Sequence, residues 1–559
     1  MNYKSKIFCG EKMTDKQALK KIINLLKTLK NDICLIFTFA IFSSIINVFI
    51  PYANSNIVDE GLLKNNINEV IKYTVFSLIL YLEDNFLTIL KEKRRIKALS
   101  KLKFNLEKEA FEHLLKIKMK YLEETNSTEI WNNLSLDINN IVSIMESNFM
   151  LVISQIFSFI GGIIGLFILN YKLILLVFGF IPIKCIVTYF LTRKRKEKIN
   201  EYIEASQRYS NWYGDTIGGI REIKLYGIQE NKKKQFIKEK SFVIEKEIKM
   251  TMVNQWNNIA DSVLMQVLLA FIYIWGAKLV FISQLSVGSV FAFVTYCVYI
   301  ITPVSTLLNI GYCMGGILPS VKRYSSFIGI EEENYNYNIR INDIHDKISF
   351  KNIYFTYKQE QQLLKNINFI IKKNEKIAII GLNGSGKTTL VDLLLRILEP
   401  QKGTILLDDI DINKLSLLDY RKLFSVVSQN IYLFNDTIAY NIMLGDDNED
   451  TIMEACRKSG LENLVKEVSL EYNVGVGGNR LSCGQKQKIA MARALAQNRP
   501  IIIFDEVTSS MDALSVQQVC ELIKSELKNK TVILITHKND IIKQVDKIIE
   551  INNGTLIER

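Results

Sequence analysis

The sequence predicts a multidomain membrane protein in which an all-α domain of six membrane-spanning helices precedes an α/β domain. Three observations carry that reading. Six apolar stretches, at about 33–52, 70–91, 148–169, 172–192, 259–282 and 288–310, each approach the ~20 residues needed to cross a bilayer core. From Lys347 onward, short apolar runs alternate with helical periodicity, as in a sheet covered by helices. Hydrophobic residues make up 48% of the 559-residue chain and the mean hydropathy is +0.11, high for a chain wholly in water.

Residues 1–30 are rich in lysine, with Leu19, Ile22, Ile23, Leu25 and Leu26 at partly helical spacing, and read as a basic amphipathic segment on the cytoplasmic surface. No apolar core followed by a small-residue cleavage site occurs there, so no removable secretory signal is expected. The eight cysteines are scattered without a C-x-x-C pair, which indicates neither a disulfide framework nor a zinc site, and Cys9 reads as a lone surface cysteine.

Of the six spans, the first, fourth and sixth hold Pro51, Pro182 and Pro303 at an end or inside, which helices in lipid tolerate when neighbours satisfy the released carbonyls. Lys91, Lys93, Arg94, Arg95 and Lys97 follow the second span, and Arg193, Lys194, Arg195, Lys196 and Lys198 follow the fourth. The turns at 170–172 and 283–287 carry little charge. Basic flanks stay cytoplasmic, so both termini are expected inside. That placement also accounts for the net charge of +12 without nucleic acid as a partner.

The second and fourth spans connect to the third and fifth through segments of more than fifty residues, rich in Lys and Glu and helical in period. These predict long helices reaching into the cytosol, each interrupted once, at 123–129 and at 213–221. Their tips are where a cytosolic domain would meet them. Residues 331–346 read as a linker, beginning with the polar run 331–338. The organisation is therefore 1–30 N-terminal segment, 31–330 membrane domain, 331–346 linker and 347–559 α/β domain.

Within the last part, an apolar run, Ile377–Ile380, stops at Gly381 and a glycine-rich loop leads into a leucine-rich helical pattern. Gly381, Leu382, Asn383, Gly384, Ser385 and Gly386, followed by Lys387, Thr388 and Thr389, make a P-loop: glycines let successive N–H groups converge on one anion. Lys387 then reaches the β- and γ-phosphates, and Thr388 offers its hydroxyl to Mg²⁺. The apolar runs Ile501–Phe504 and Val532–Ile535 end in Asp505-Glu506 and Thr536-His537, as buried parallel strands do when they deliver polar residues to a ligand.

Taken together, these motifs resemble those of an ABC exporter half-transporter, and the resemblance covers nearly the whole chain. It implies a six-helix transmembrane domain with two cytoplasmic coupling hairpins, fused to an α/β P-loop NTPase of the ABC ATPase kind that uses ATP and Mg²⁺. On that resemblance Tyr357 stacks on adenine, Asp505 serves Mg²⁺ with Thr388 and Gln429, and Glu506 orients or deprotonates the attacking water. His537 matches the switch histidine and Ser510-Met511-Asp512 the loop that crosses the dimer interface. The segment Leu481-Ser482-Cys483-Gly484-Gln485 stands where the family has its signature, and Ser482, Gly484 and Gln485 are expected to meet the γ-phosphate held by another subunit.

Two departures stand out. Cys483 replaces a signature glycine, and Val476 stands where exporters usually carry a glutamate facing the coupling hairpins. The resemblance implies a dimer, homodimeric or heterodimeric, that exports a peptide, a hydrophobic or amphipathic drug or a lipid across the cytoplasmic membrane. The Lys-, Ile- and Asn-rich composition points to a bacterium. A non-transporting ATP-regulated sensor or channel on the same scaffold is the alternative. Glu83, Asp84, Lys184 and Asp261 fall within or at the ends of spans, where ionised groups need water or a partner. They are read either as paired with one another or as facing an internal cavity, where acids would select a cationic cargo.

Overall fold

Long runs of helix formers with few turn residues fold most of the described residues up to 330 into helices, whereas the β-branched runs after Lys347 build sheets. The structure is a computed structural model and describes residues 13–124, 127–169, 171–335, 339–357, 363–444, 449–507 and 513–559. The segment around Cys9 and the loop Ser510–Asp512 lie outside the described residues. The chain divides into two units, one formed by Met1–Leu115 with Ser127–Ile330, the other by Lys116–Asn126 with Glu331–Arg559.

The helices up to residue 328 are α1 (Asp15–Lys27), α2 (Lys30–Asn56), α3 (Ile67–Leu114), α4 (Met119–Glu124), α5 (Ser127–Val142), α6 (Ser147–Leu169), α7 (Tyr171–Gly218), α8 (Ile220–Leu225), α9 (Gln229–Phe281) and α10 (Val287–Ile328). All but α4 belong to the first unit. The six expected spans fall in α2, α3, α6, α7, α9 and α10. Among the described residues, Lys30–Leu62, Ile67–Leu114, Gln229–Phe281 and Val287–Val304 are long and apolar enough to cross a membrane. Pro51, Pro182 and Pro303 sit inside α2, α7 and α10 without ending them.

Thr14 and Gln17 cap α1 reciprocally, and Asp15 in its first turn pairs with Lys322 of α10 at 2.6 Å. Between α2 and α3 a π-helical turn, Ile57–Leu62, aims Asp59 at the start of α10, where its carboxylate accepts from Ser286 Oγ (2.5 Å) and Gly288 N (2.8 Å). A Cβ on Gly288 would lie 2.2 Å from the Ser55 carbonyl, so only glycine permits this approach.

Each long segment breaks inside the expected stretch and once more outside it. In the first, α4 ends at Glu124 and α5 begins at Ser127, within 123–129, and a further break lies at Leu115–Lys118, because residues 116–118 pair with 331–333 instead of continuing the helix. The second opens at Gly219, inside the expected 213–221, and is followed by a further turn with Gly227 at φ 66°. His113, which the sequence alone reads as a surface histidine, is 5% exposed in the last turn of α3, edge-on to Phe327 of α10 at 5.2 Å. His345, read from the sequence in the same way, is exposed.

Of the four charges in or beside the spans, Asp84, Lys184 and Asp261 find partners on neighbouring helices, whereas Glu83 is exposed. Buried Lys184 donates to the Ile301 carbonyl (3.1 Å) and lies 3.7 Å from Asp261, which is pairing rather than a free charge. Asp84 accepts from Ser43 and Asn47 of α2. Elsewhere in this unit, Asp137 of α5 is gripped by Arg323 of α10, whose Nε lies 3.0 Å from both carboxylate oxygens.

In the second unit, β1 (Lys347–Phe355), β2 (Leu364–Lys372), β4 (Lys402–Leu407) and β5 (Ile410–Asp411) form an antiparallel sheet in the order β2-β1-β4-β5. The larger sheet runs β10-β9-β3-β8-β7-β6, from β3 (Lys376–Gly381), β6 (Phe424–Val427), β7 (Ile501–Asp505), β8 (Thr531–Ile535), β9 (Lys547–Asn552) and β10 (Thr555–Glu558). Its pairings are parallel except for β10 on β9. Every residue of β7 and β8 is buried, as continuous apolar runs require in a parallel sheet covered on both faces. Around the sheets lie α11 (Lys387–Leu394), α12 (Leu417–Arg421), α13 (Ile438–Met443), α14 (Glu449–Lys458), α15 (Glu462–Val468), α16 (Cys483–Ala496), α17 (Ala513–Ser525) and α18 (Asn539–Ile542).

Removing Arg323 leaves the 6%-exposed Asp137 carboxylate without its cation. Arg323→Met is therefore expected to cost about 3 kcal/mol locally. Hydrogen exchange along α5 should quicken by about two orders of magnitude, with the amides of β7 unaffected.

Candidate functional site

Because β3, β8, β7 and β6 run parallel, their C-terminal ends lie side by side, and the residues just beyond them meet. At the end of β3 the chain turns through Gly381 (φ 148°), Gly384 (φ 79°) and Gly386 (φ 103°) into α11. A Cβ on Gly381 would fall 2.5 Å from the Ile551 carbonyl, and one on Gly386 2.8 Å from Leu364. The sequence did not single out Ile551 or Leu364, which wall this loop from strands distant in the chain. Lys387, 6% exposed, folds its ammonium over the loop and donates to the carbonyls of Gly381 (2.7 Å) and Leu382 (3.1 Å). The N–H groups of the first turn of α11 complete an anion cradle.

Thr388 donates to Asp505 Oδ2 at 3.5 Å, which brings the P-loop and the end of β7 together. Asp505 is 6% exposed; burial, and then the neighbouring Glu506, push its carboxyl above the usual carboxylate range. Its Oδ1 is buried without a hydrogen-bond partner. A hydroxyl, a carboxylate and the nearby Gln429 amide are hard oxygen donors, and an unpartnered buried carboxylate oxygen wants a cation, so these residues fit Mg²⁺. Among the described residues no group of three His, Cys, Asp or Glu could hold a softer metal.

Glu506 adopts φ 50°, a conformation that non-glycine residues reach at a cost and keep where the surroundings impose it. Here its N–H donates to the Ile535 carbonyl of β8 (2.9 Å). The side chain swings into the site, where Oε2 accepts from Gln429 Nε2 at 2.7 Å and Oε1 lies 3.9 Å from His537 Nε2. Gln429, Glu506 and His537, far apart in sequence, thus share one cluster beside Asp505. Tyr357, half exposed, packs edge-on to Phe355 at 5.0 Å, and its hydroxyl is 3.2 Å from Thr389 Oγ1, which sets a flat aromatic face near the loop.

The signature segment stands apart from this cluster within the chain. Ser482 caps α16: its Oγ accepts from Gln485 N (3.3 Å) while Gln485 Oε1 accepts from Ser482 N (2.8 Å). Cys483 and Gly484 open the helix, and neither has positive φ, so cysteine adopts this backbone without strain. Val476, 70% exposed, belongs to a turn flanked by Gly475 and Gly477, both of positive φ.

The chain matches the family model described as the ABC transporter transmembrane region over residues 33–304, and that described as ABC transporter over residues 364–509. It is 28% identical over 459 residues to an ATP-dependent lipid A-core flippase of Legionella pneumophila (strain Paris), covering 81% of this chain and 78% of that protein. The ATP-dependent lipid A-core flippase of Wigglesworthia glossinidia brevipalpis is 29% identical over 467 residues, covering 82% and 80%. A bacterial Atm1-family ABC exporter solved with ATP bound superposes with a TM-score of 0.80 at 20% identity, over 95% of this chain and 96% of that one, and so shares its fold.

Since Asp505 ionises less readily in the folded protein, its charge at neutral pH costs folding free energy. Asp505→Asn should therefore raise the unfolding temperature of the nucleotide-free protein. The gain should shrink as pH falls through the raised native range of Asp505 and vanish below the ordinary carboxylate range, where Asp505 itself is protonated in both states; differential scanning calorimetry across pH checks this.

Proposed function

Because the chain belongs to the ABC transporter family, with its membrane region and ATP-hydrolysing domain fused as an exporter half-transporter, we propose that two such subunits use ATP to move an amphipathic, lipid-like cargo out of a bacterial cytoplasmic membrane. The observation that carries the hydrolytic part is the cluster of Gln429, Glu506 and His537 beside Asp505. Glu506 acts as general base toward the attacking water, Gln429 holds its carboxylate in place, and His537 stands beside it to contact the γ-phosphate. Thr388, Asp505 and Gln429 hold Mg²⁺, which neutralises charge on the β- and γ-phosphates when bound. Gly381–Thr389 cradle the phosphates and Tyr357 takes the adenine.

A dimer is favoured because Ser482, Gly484 and Gln485 lie on a helix start that takes no part in the cluster of their own chain, so they are available to a partner's nucleotide. The tip between α7 and α9 points the same way, since Ile217, Ile220, Leu225 and Tyr226 are all exposed there and call for cover. The working division is 31–330 for the membrane domain, 331–346 for the linker and 347–559 for the ATPase, with both termini cytoplasmic. Lipid is preferred to peptide or drug because the relatives above are named for flipping lipid A-core.

In liposomes the protein should hydrolyse MgATP, and Glu506→Gln should still bind nucleotide while turnover falls by about 100-fold or more. Robust hydrolysis by that variant would sink the assignment of the base. ATP-dependent movement of a headgroup-labelled phospholipid between leaflets is the expected readout of cargo. Uptake of a peptide probe with no lipid movement would overturn the lipid reading.

A further inference from the structure

The chain passes from the first unit to the second at Leu115–Lys116 and again at Ile330–Glu331. Within the second unit these two entry points are bound side by side. Ile117 and Glu332 form an antiparallel bridge, with Glu333 N donating to Lys116 O (2.7 Å) and Lys118 N to Glu331 O (3.3 Å). The segment that continues α3 and the segment that continues α10 therefore enter the ATPase unit as one two-stranded strap.

One side chain fastens that strap. Glu333, 11% exposed, is held through both oxygens by Arg421, from Nη1 at 2.9 Å and Nη2 at 2.8 Å. A bidentate pair this sheltered is directional and costly to break. By contrast Lys118 pairs with Glu331 and Glu399, which are 78% and 66% exposed, so solvent weakens those pairs. Arg421 uses its other donors on the carbonyls of Leu395 (3.2 Å) and Arg396 (2.9 Å), immediately after the P-loop helix α11. It is also the last residue of α12, three residues before β6, the strand that delivers Gln429. The guanidinium thus joins the strap to the far end of the phosphate-binding helix and to the root of the strand whose glutamine touches Glu506.

We propose that Glu333 and Arg421 are positioning residues: their pair is the joint by which the nucleotide site and the α3 and α10 segments exchange movement within one subunit. The proposal rests on the ATP-driven movement read above. It requires the joint to stay closed throughout the cycle while the elements on either side of it shift, so that breaking it leaves ATP hydrolysis intact and severs its mechanical consequence.

The chain supplies its own reporter. All four tryptophans, Trp131, Trp212, Trp256 and Trp275, belong to the membrane unit, whereas ATP binds the other. In full-length protein in liposomes, MgATP should alter tryptophan fluorescence and its quenching by acrylamide. Glu333→Gln should hydrolyse ATP within about twofold of the native rate while this response falls about fivefold. The bridged positions 117 and 332 form a non-hydrogen-bonded antiparallel pair, whose Cα atoms come close enough for a disulfide. Oxidising Glu333→Gln combined with Ile117→Cys and Glu332→Cys should restore the response and reduction should abolish it, the native protein taken through the same redox cycle serving as control.

A normal response in Glu333→Gln, or an oxidised triple variant that stays silent, overturns the joint. If Glu333→Gln fails to fold, the double cysteine variant decides: a response preserved after cross-linking supports the joint, and its loss shows that the strap must open and overturns it. Native protein that hydrolyses ATP without any tryptophan response overturns the transport reading, and the joint with it.

Discussion

Two adjacent carboxylates at the end of a buried strand set the terms for the ATPase unit. Asp505 closes five fully buried residues of β7, and Glu506 follows it in a left-handed turn. Unaided, two such charges repel one another in a medium poorer than water at solvating them, and the raised proton affinity of Asp505 is the visible sign. What offsets them comes from four residues in three other places in the chain: Lys387 and Thr388 from the P-loop, Gln429 from beyond β6, and His537 from beyond β8. The parallel order of β3, β8, β7 and β6 is what makes those four neighbours. A site built on strand ends in this way is sensitive to small sliding of one strand against the next, because a shift of β6 alone carries Gln429 away from Glu506. The same sensitivity allows events at a remote element to be felt at the nucleotide.

The membrane unit meets the complementary difficulty, which is keeping charge in apolar surroundings. Lys184 is almost wholly covered, and it is tolerated because α9 supplies Asp261 and α10 supplies a carbonyl. An ionised group at mid-membrane costs at least ~2.5 kcal/mol when unmet. These contacts therefore tie three helices, α7, α9 and α10, at one level of the bundle. Asp84 is met instead by the neutral Ser43 and Asn47 on α2, which ties α3 to α2.

Much of this was legible in the sequence, for reasons that differ from element to element. The P-loop was readable because its chemistry lies in consecutive residues, and the observed φ values at Gly381, Gly384 and Gly386 are those the spacing demands. The six spans were readable because lipid imposes both length and composition on a helix. What escaped was set by partners distant in sequence. The helix α3 stops at Leu114 because Lys116–Lys118 pair with Glu331–Glu333, more than two hundred residues on, and no local breaker announces it. His113 is buried by Phe327 for the same reason. The run beginning Glu331 reads as a solvated linker by composition, yet Arg421 shelters Glu333 almost completely, because a guanidinium can bury a carboxylate that water would otherwise claim.

The signature segment shows how a departure from a pattern can be conformationally silent and still chemically consequential. Glycine is needed where the backbone is left-handed or where another backbone approaches. Cys483 occupies the first position of α16 at ordinary helical angles, and Ser482 with Gln485 caps that helix regardless of the residue between them. The first reason for glycine is therefore absent here, and the helix N-terminus keeps its dipole and its donors. The second reason survives: a thiol-bearing side chain stands at the helix end that a partner's γ-phosphate would approach. A phosphate held there must sit slightly farther from the amides, and electrostatic attraction falls with that distance. Cysteine at this place thus leaves the fold and the cap intact, and in the dimer proposed above it would weaken only the contact made across subunits, not the stability of either half.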